Sequence, residues 1–132
     1  MQDRPTYLEL IDAVRHFLEH DAVPALEGTR KFHARVAANV LAIVGRELGA
    51  EAEQLQAEWK RLDALLDPIP MPDDLQALKE SLRRRTDTLS ERIRRGDADQ
   101  GPWRRAVIDH VRQTVIEKLT VANPKFLGGE SG

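Results

Sequence analysis

Three polar side chains share one stripe of a segment that is otherwise apolar. At 100° per residue along a helix, Arg35, Asn39 and Arg46 fall within about 60° of one another. The planar guanidinium group of arginine pairs well with carboxylate or phosphate, so the stripe predicts a pocket for a small anion. The alternative, which we favour, is a structural seam in which these groups bond loop carbonyls or carboxylates such as that of Glu47.

His33 completes the set of candidate ligand-binding residues. It lies in the apolar arc of the same predicted helix, one turn from the start of that helix. A histidine in such a position is usually neutral, buried and bonded to a backbone carbonyl. Its functional alternative is a ligand contact or a proton shuttle beside Arg35, Asn39 and Arg46.

Two histidines near the end of the first predicted helix resemble a metal site. His16, Glu19 and His20 match the inverted zincin pattern, in which two histidines one turn apart bind zinc and a glutamate acts as base. The helix is ending at His20, and no second acidic helix offers a third ligand. Protonated imidazoles are also stabilised at a helix C-terminus. We therefore expect no metal site and no peptidase activity.

The sequence lacks the other common catalytic patterns. The chain contains no cysteine, so thiolate nucleophiles are excluded. None of its four histidines follows a glutamate by three residues, as a di-iron bundle requires. None of its serines lies in a strand-turn-helix elbow, and no glycine-rich phosphate loop is present. We expect no catalytic residue and no cofactor.

A cluster of arginines surrounds the turn between the last two long predicted helices. Its members are Arg92, Arg94, Arg95, Arg104 and Arg105. If the two helices form a hairpin, these cations face one another and could hold an acidic protein partner or a phosphorylated ligand. The alternative is a solvated helix end, because cations favour a helix C-terminus and acidic residues are interspersed here.

Composition and charge narrow the class of protein. The 132 residues carry a formal net charge of −2, with −6 on residues 1–74 and +4 on residues 75–105. A near-neutral total gives no general affinity for nucleic acid. No run approaches the ~18 apolar residues of a membrane span, and the charged amino terminus leads into no apolar signal core. We expect a cytoplasmic protein that binds neither nucleic acid nor membranes.

Caps and apolar spacing predict two helices in the first half of the chain. A capping box at Thr6 and Glu9 starts the first helix, which we place at about residues 6–20. The second, at residues 30–48, ends at Gly49 as a C′ residue. Its large apolar residues form one arc and its small ones another, so we expect a buried central helix with other helices packed on both sides.

Three more helices follow. The third runs over about residues 50–66, and alternate prolines at residues 68, 70 and 72 then form a stiff connector. Asp73 or Asp74 caps the fourth helix, which runs to Arg95, and Pro102 begins the fifth. No segment alternates with a period of two. The sequence predicts an all-α, single-domain antiparallel bundle of about five helices over residues 1–127, with a disordered tail at 128–132.

Three stretches of the chain resemble a small bacterial family of unknown function. They are Met1–Thr6, Phe32–Asn39 together with Arg46–Leu48, and Lys118–Leu127. Members of that family are stand-alone all-helical proteins, often encoded beside acyl-CoA dehydrogenases and phosphotransferases similar to aminoglycoside kinases. The resemblance implies an accessory role as a partner of such a dehydrogenase or kinase. It leaves open the binding of an acyl-CoA or a phosphorylated anion, and a homodimer is also open.

Overall fold

The computed structural model describes residues 3–129 as helices joined by short links, with no strand among them, which confirms the all-α class. No helix in this range is long and apolar enough to cross a bilayer. The helices are α1 (Tyr7–Phe17), α2 (Val23–Ala25), α3 (Gly28–Leu65), α4 (Leu75–Arg94), α5 (Pro102–Ala122) and α6 (Pro124–Gly128), with a π-helical turn at Leu18–Ala22.

The chain divides into two compact units. The first contains the residues up to Ala50 together with Val121–Asn123. The second contains Glu51–Thr120 and the segment from Pro124 onward. The long helix α3 therefore contributes residues to both units, and a single domain over residues 1–127 stays a prediction.

The first helix begins as the sequence predicts and ends later. The Thr6 side chain accepts a hydrogen bond from the Glu9 amide, and the Glu9 carboxylate accepts one from the Thr6 amide, which completes the capping box. Helical backbone then continues through the π turn to Ala25, beyond the predicted end near residue 20. We attribute the π turn to Pro24, whose ring would clash with a carbonyl of the preceding turn in a regular α-helix.

Helix α3 runs without interruption through the break that we predicted at Gly49. The three glycines with positive φ in the described chain are Gly28, Gly96 and Gly101, so Gly49 does not adopt the left-handed conformation of a C′ residue. A glycine in a helix interior costs about 1 kcal/mol relative to alanine. The strong helix formers on both sides of Gly49 outweigh that cost, and the predicted second and third helices are one.

In the first unit, α1 lies against the arc of small residues on α3. Ala34 and Ala38 are buried. A Cβ added to Gly45 would lie 3.9 Å from Cγ2 of Ile11, an ordinary contact distance. The small side chains therefore allow α1 and α3 to approach closely.

The arc of large residues on α3 is exposed, so the prediction that both sides of this helix are covered is wrong. This surface, which we call the α3 arc, consists of Phe32, Val36, Val40, Val44 and Leu48. A second exposed surface, the α1 arc, consists of Tyr7, Leu10, Val14 and Phe17. Each of these side chains keeps between 38% and 62% of its surface accessible. A helix face with so many large apolar groups is typical of an interaction surface.

The second unit contains the hydrophobic core. Trp59 and Leu62 are its most buried side chains. Arg85 is also buried, and its guanidinium lies 4.5 Å from the centre of the Trp59 ring while it bonds the Asp63 carboxylate. The remaining core residues are Leu65, Leu78, Leu82, Leu89 and Val107.

The connector is extended, as the prolines predict, and it reverses the path of the chain. The Ile69 amide donates to the carboxylate of Asp63, one of the last residues of α3. Lys79 then pairs with Glu51, whereas Arg85, further along α4, pairs with Asp63. The later residue of α4 pairs with the later residue of α3, so α4 runs parallel to this part of α3. Short links lead us to expect antiparallel neighbours, and the extended connector makes this pair an exception.

The last residues of the predicted bundle are exposed. Phe126 is 65% accessible and Leu127 is 41% accessible. Gly128 is the last residue of α6 and Gly129 lies in a turn. The rest of the predicted disordered tail, residues 130–132, lies outside the described residues.

Candidate functional site

The predicted polar stripe lies beside α1, along two shallow grooves of the first unit. Arg35 and Asn39 are exposed and line a groove of about 320 Å³ that also contains Glu19. Arg46 lines a second groove, of about 420 Å³, together with Arg15 and other residues. The three stripe residues therefore share one edge of α3, as the helical spacing predicts.

The hydrogen bond made by Arg46 favours the structural seam at this residue. Its Nε donates to the backbone carbonyl of Val121 at 2.8 Å. This carbonyl lies in the last turn of α5, where helix carbonyls lack partners within the helix. Arg46 thus caps the C-terminus of α5 inside the first unit.

The charges around the two grooves are nearly balanced. Arg15 donates to the carboxylates of Asp12 at 2.6 Å and Glu19 at 2.8 Å. The hydrogen bond from Arg15 to Asp12, followed by that to Glu19, raises the pKa of the Arg15 guanidinium. A small anion in either groove would meet these carboxylates as well as Arg35 or Arg46.

His33 is separated from the other three candidates. It is exposed, so the expected burial of this histidine is wrong. Its ring lies edge-on to the Phe32 ring, with 5.7 Å between the ring centres. His33 belongs to the side of α3 that carries the α3 arc, and the grooves are lined by other residues.

The histidine pair at the end of α1 has the spacing of a metal site with other bonding. The His16 and His20 rings lie 4.1 Å apart between centres. The intervening Glu19 is bonded to Arg15. Within residues 3–129, no group of three or more histidine, aspartate or glutamate side chains is arranged to hold a metal ion.

Several members of the arginine cluster hold the turn between α4 and α5. Arg92 and Arg95 both bond the carboxylate of Asp97, at 3.1 and 3.2 Å. The hydrogen bond from Arg92 lowers the pKa of the Asp97 carboxyl, and the hydrogen bond from Arg95 lowers it by a smaller amount. The Arg92 guanidinium also lies 4.1 Å from the centre of the Trp103 ring. These contacts support the solvated helix end for this part of the cluster.

The remaining members face outward. Arg104 donates to the backbone carbonyl of Asp99 at 2.7 Å and lines a groove of the second unit. Arg94 and Arg105 are exposed. The cluster is therefore divided between arginines that stabilise the turn and arginines that border a surface.

That surface is an apolar stripe on α5. Ile108, Val111 and Val115 are exposed, and we call them the α5 stripe. Ile108 and Val111 line a groove of about 510 Å³ whose wall includes Arg104, Arg112 and one carboxylate, that of Asp99. Another groove, of about 490 Å³, contains Val111 and Val115, and its charged lining residues are Arg83, Lys118, Glu58 and Asp87.

A buried polar cluster between α3 and α5 was not predicted from the sequence. Arg61 donates to both carboxylate oxygens of Glu117 at 2.8 Å each. His110 is 6% exposed, and its Nδ1 has no hydrogen-bond partner among the described residues. Burial lowers the pKa of His110, and the nearby Arg61 lowers it further. Burial also raises the pKa of Glu58, which lines the groove beside His110.

The spacing of α5 contained a usable signal for this cluster. His110 and Glu117 are seven residues apart and fall on the same side of the helix as the buried Val107 and Val121. Polar residues on the buried side of a helix require partners on a neighbouring helix. The partner, Arg61, is remote in sequence, and no local pattern identifies it.

The fold and its surfaces define an all-helical protein with exposed apolar faces, in which Arg46, Arg61, Arg92 and Arg95 make structural hydrogen bonds. The chain belongs to the family described as Domain of unknown function (DUF6285), whose model matches residues 24–126. The matched range begins after α1 and includes α3, α4 and α5. The comparisons with curated proteins and with solved structures find no match. The expected membership in a family of unknown function is confirmed.

Proposed function

We propose that this chain is an accessory interaction protein and that its α5 helix docks an acidic amphipathic helix of a partner protein. The observation that carries the proposal is the exposed α5 stripe with cations on both sides of it. Ile108, Val111 and Val115 keep 44%, 48% and 49% of their surfaces accessible. A single exposed aliphatic residue needs no explanation, but a row rimmed by polar groups is typical of a binding surface.

The spacing of the stripe fits the recognition of a helix. Ile108, Val111 and Val115 stand at positions i, i+3 and i+7, which place them on one face of α5. An amphipathic helix that binds an apolar groove uses anchors at the same intervals. The grooves of about 510 and 490 Å³ on the two sides of Val111 would accept such anchors.

The cations that α5 itself carries beside the stripe favour an acidic partner, and the carboxylates of Asp99, Glu58 and Asp87 also line the two grooves. Arg104, Arg112 and Lys118 lie on the same side of α5 as the stripe, within roughly 60° of it by helical spacing. Arg94 and Arg105 are also exposed and add positive charge near the turn between α4 and α5. Complementary charges raise the rate of association and select the orientation of the partner.

The resemblance stated above supplies a candidate for the partner. The relatives that this chain resembles are often encoded beside acyl-CoA dehydrogenases and aminoglycoside-kinase-like phosphotransferases. The partner that we propose is therefore one of these two enzymes, in a bacterial cytoplasm. An accessory protein of this size would then position, stabilise or regulate the enzyme. We take the dehydrogenase as the first enzyme to test.

A second candidate function is the binding of an acyl-CoA-like or phosphorylated anion at the polar stripe. Its support is the groove that Arg35 and Asn39 share. The carboxylate of Glu19 in that groove and the bond from Arg46 to Val121 oppose it. We therefore rank ligand binding below partner docking.

The experiment is reconstitution with an acyl-CoA dehydrogenase from the same organism, followed by cross-linking with a reagent that joins amines to carboxylates. We expect a complex in which Lys118, next to the α5 stripe, is cross-linked to an acidic helix of the dehydrogenase. Lys31, which belongs to the first unit, is the internal control and should give no such product. Cross-links concentrated at Lys31, or the absence of a complex with either the dehydrogenase or the kinase, would contradict the proposal.

A further inference from the structure

The α3 arc has a symmetry that the proposed function does not use. Around Val40, residue types are arranged alike in both directions along the helix. Val36 and Val44 lie four residues from Val40, and Phe32 and Leu48 lie eight residues from it. All five side chains are exposed.

A histidine and a glutamate obey the same symmetry. His33 and Glu47 each lie seven residues from Val40, and both are exposed. At 100° per residue, each falls within about 20° of Val40 on the helix surface. The centre of the arc is thus a line of His33, Val40 and Glu47, with Val36 and Val44 on its two sides.

We propose that two copies of this chain pair through α3, antiparallel, across a two-fold axis at Val40. A two-fold interface requires that residue i contact residue j of the second copy and that j contact i. In this arrangement Val40 meets Val40, Val36 meets Val44, and His33 faces Glu47 of the second copy at both ends. The arc is complementary to itself when reversed, which identifies a second copy as the occupant.

The α3 arc supplies the apolar centre of such a pair. Its five large side chains are each 38–62% accessible. Together they expose on the order of 400 Å², about half of what each partner contributes to an interface of standard size. The inference concerns the first unit and is independent of the docking proposed for α5 in the second.

The first test is sedimentation of the full chain and of two matched variants. Val40 and Val115 are both 49% exposed valines in helices. We expect the wild type and Val115→Glu to sediment as dimers, and Val40→Glu to sediment as a monomer with an unchanged far-ultraviolet circular dichroism spectrum. A monomeric wild type at about 100 μM, or dissociation by Val115→Glu and not by Val40→Glu, would overturn the proposal.

The second test exchanges the charges and does not depend on the behaviour of Val40→Glu. His33→Glu should raise the dimer dissociation constant about 100-fold, because it places two carboxylates opposite each other at both ends. Adding Glu47→Lys to His33→Glu should restore the dimer. The two positions are about 21 Å apart within one helix, so one can compensate the other only between copies. If the double variant is as dissociated as His33→Glu alone, the antiparallel arrangement is wrong.

Discussion

Arg61 and Glu117 form a two-pronged ion pair between α3 and α5, with both oxygens of the Glu117 carboxylate accepting at 2.8 Å. The two side chains are only 22% and 17% exposed. Nearby, Gln54 donates to the backbone carbonyl of Glu117 at 3.4 Å. This pair therefore fixes the position of α5 relative to the second-unit part of α3, and with it the orientation of the α5 stripe.

Removing the carboxylate of this pair should destabilise the protein strongly. Glu117→Leu would leave the Arg61 guanidinium partly buried and unpaired, which we expect to cost about 2–4 kcal/mol after allowance for residual exposure. Chemical denaturation measures the change. Asp12→Ala, which removes one partner of the more exposed Arg15, is the control and should cost less than about 1 kcal/mol. Equal effects of the two substitutions would show that the Arg61 pair is no more important than a surface pair.

The buried His110 should make stability depend on pH. Burial lowers the pKa of His110 in the folded protein, whereas the unfolded chain keeps the ordinary value of about 6.5. Below pH 6.5 the imidazole of His110 is protonated in the unfolded state but stays neutral in the folded state until the pH reaches its lower folded pKa. The free energy of unfolding at pH 7–8 is therefore reduced as the pH falls through about 6.5 toward the folded pKa. We expect His110→Gln to weaken the loss of melting temperature between pH 7.5 and 5.5. An identical pH profile in the variant and the wild type would contradict this assignment.

The polar stripe should behave as a structural seam at Arg46 alone. Arg46→Met removes the donor to the Val121 carbonyl and should cost about 1–2 kcal/mol. Arg35→Met and Asn39→Leu alter exposed side chains and should be near neutral. Thermal melting with and without coenzyme A thioesters separates seam from pocket. A thioester-dependent rise in melting temperature that Asn39→Leu abolishes would favour the ligand-binding candidate.

Gly49 tests the continuity of α3, and Gly96, in the turn after α4, is the contrasting control. Gly49 has helical backbone and open space around it, so Gly49→Ala should stabilise the protein by about 0.5–1 kcal/mol. Gly96 has a φ of +92°, and a Cβ there would lie 3.0 Å from the Asp99 carboxylate. Gly96→Ala should therefore destabilise by about 1 kcal/mol or more. If Gly49→Ala is destabilising, α3 is broken at that residue as the sequence alone predicted.

Local signals predicted the helix termini that depend on caps and prolines. The Thr6 capping box, the Asp74 cap, the start at Pro102 and the end of the fourth helix at Arg95 are all present. These features depend on residues within one turn of each other, which a sequence displays directly. Gly49 failed as a stop signal because its backbone conformation is decided by the helix on both sides of it.

The location of the candidate sites was harder to predict because burial depends on residues distant in sequence. The large apolar residues of α3 were expected to be covered by the same chain, and the chain covers the small ones instead. For the same reason His33 was expected to be buried, whereas the buried histidine is His110. Periodicity identifies the faces of a helix, but it does not show which face the chain itself will cover.

The most direct measurement of the central claim is calorimetric titration of an acyl-CoA dehydrogenase from the same organism, the proposed partner, into wild type, Val115→Glu and Val40→Glu. We expect Val115→Glu to weaken binding at least tenfold, because it places a carboxylate in the apolar stripe that receives an acidic helix. Val40→Glu should bind the dehydrogenase like the wild type, since Val40 belongs to the first unit. Equal binding by wild type and Val115→Glu, or loss of binding in Val40→Glu alone, would contradict docking on α5.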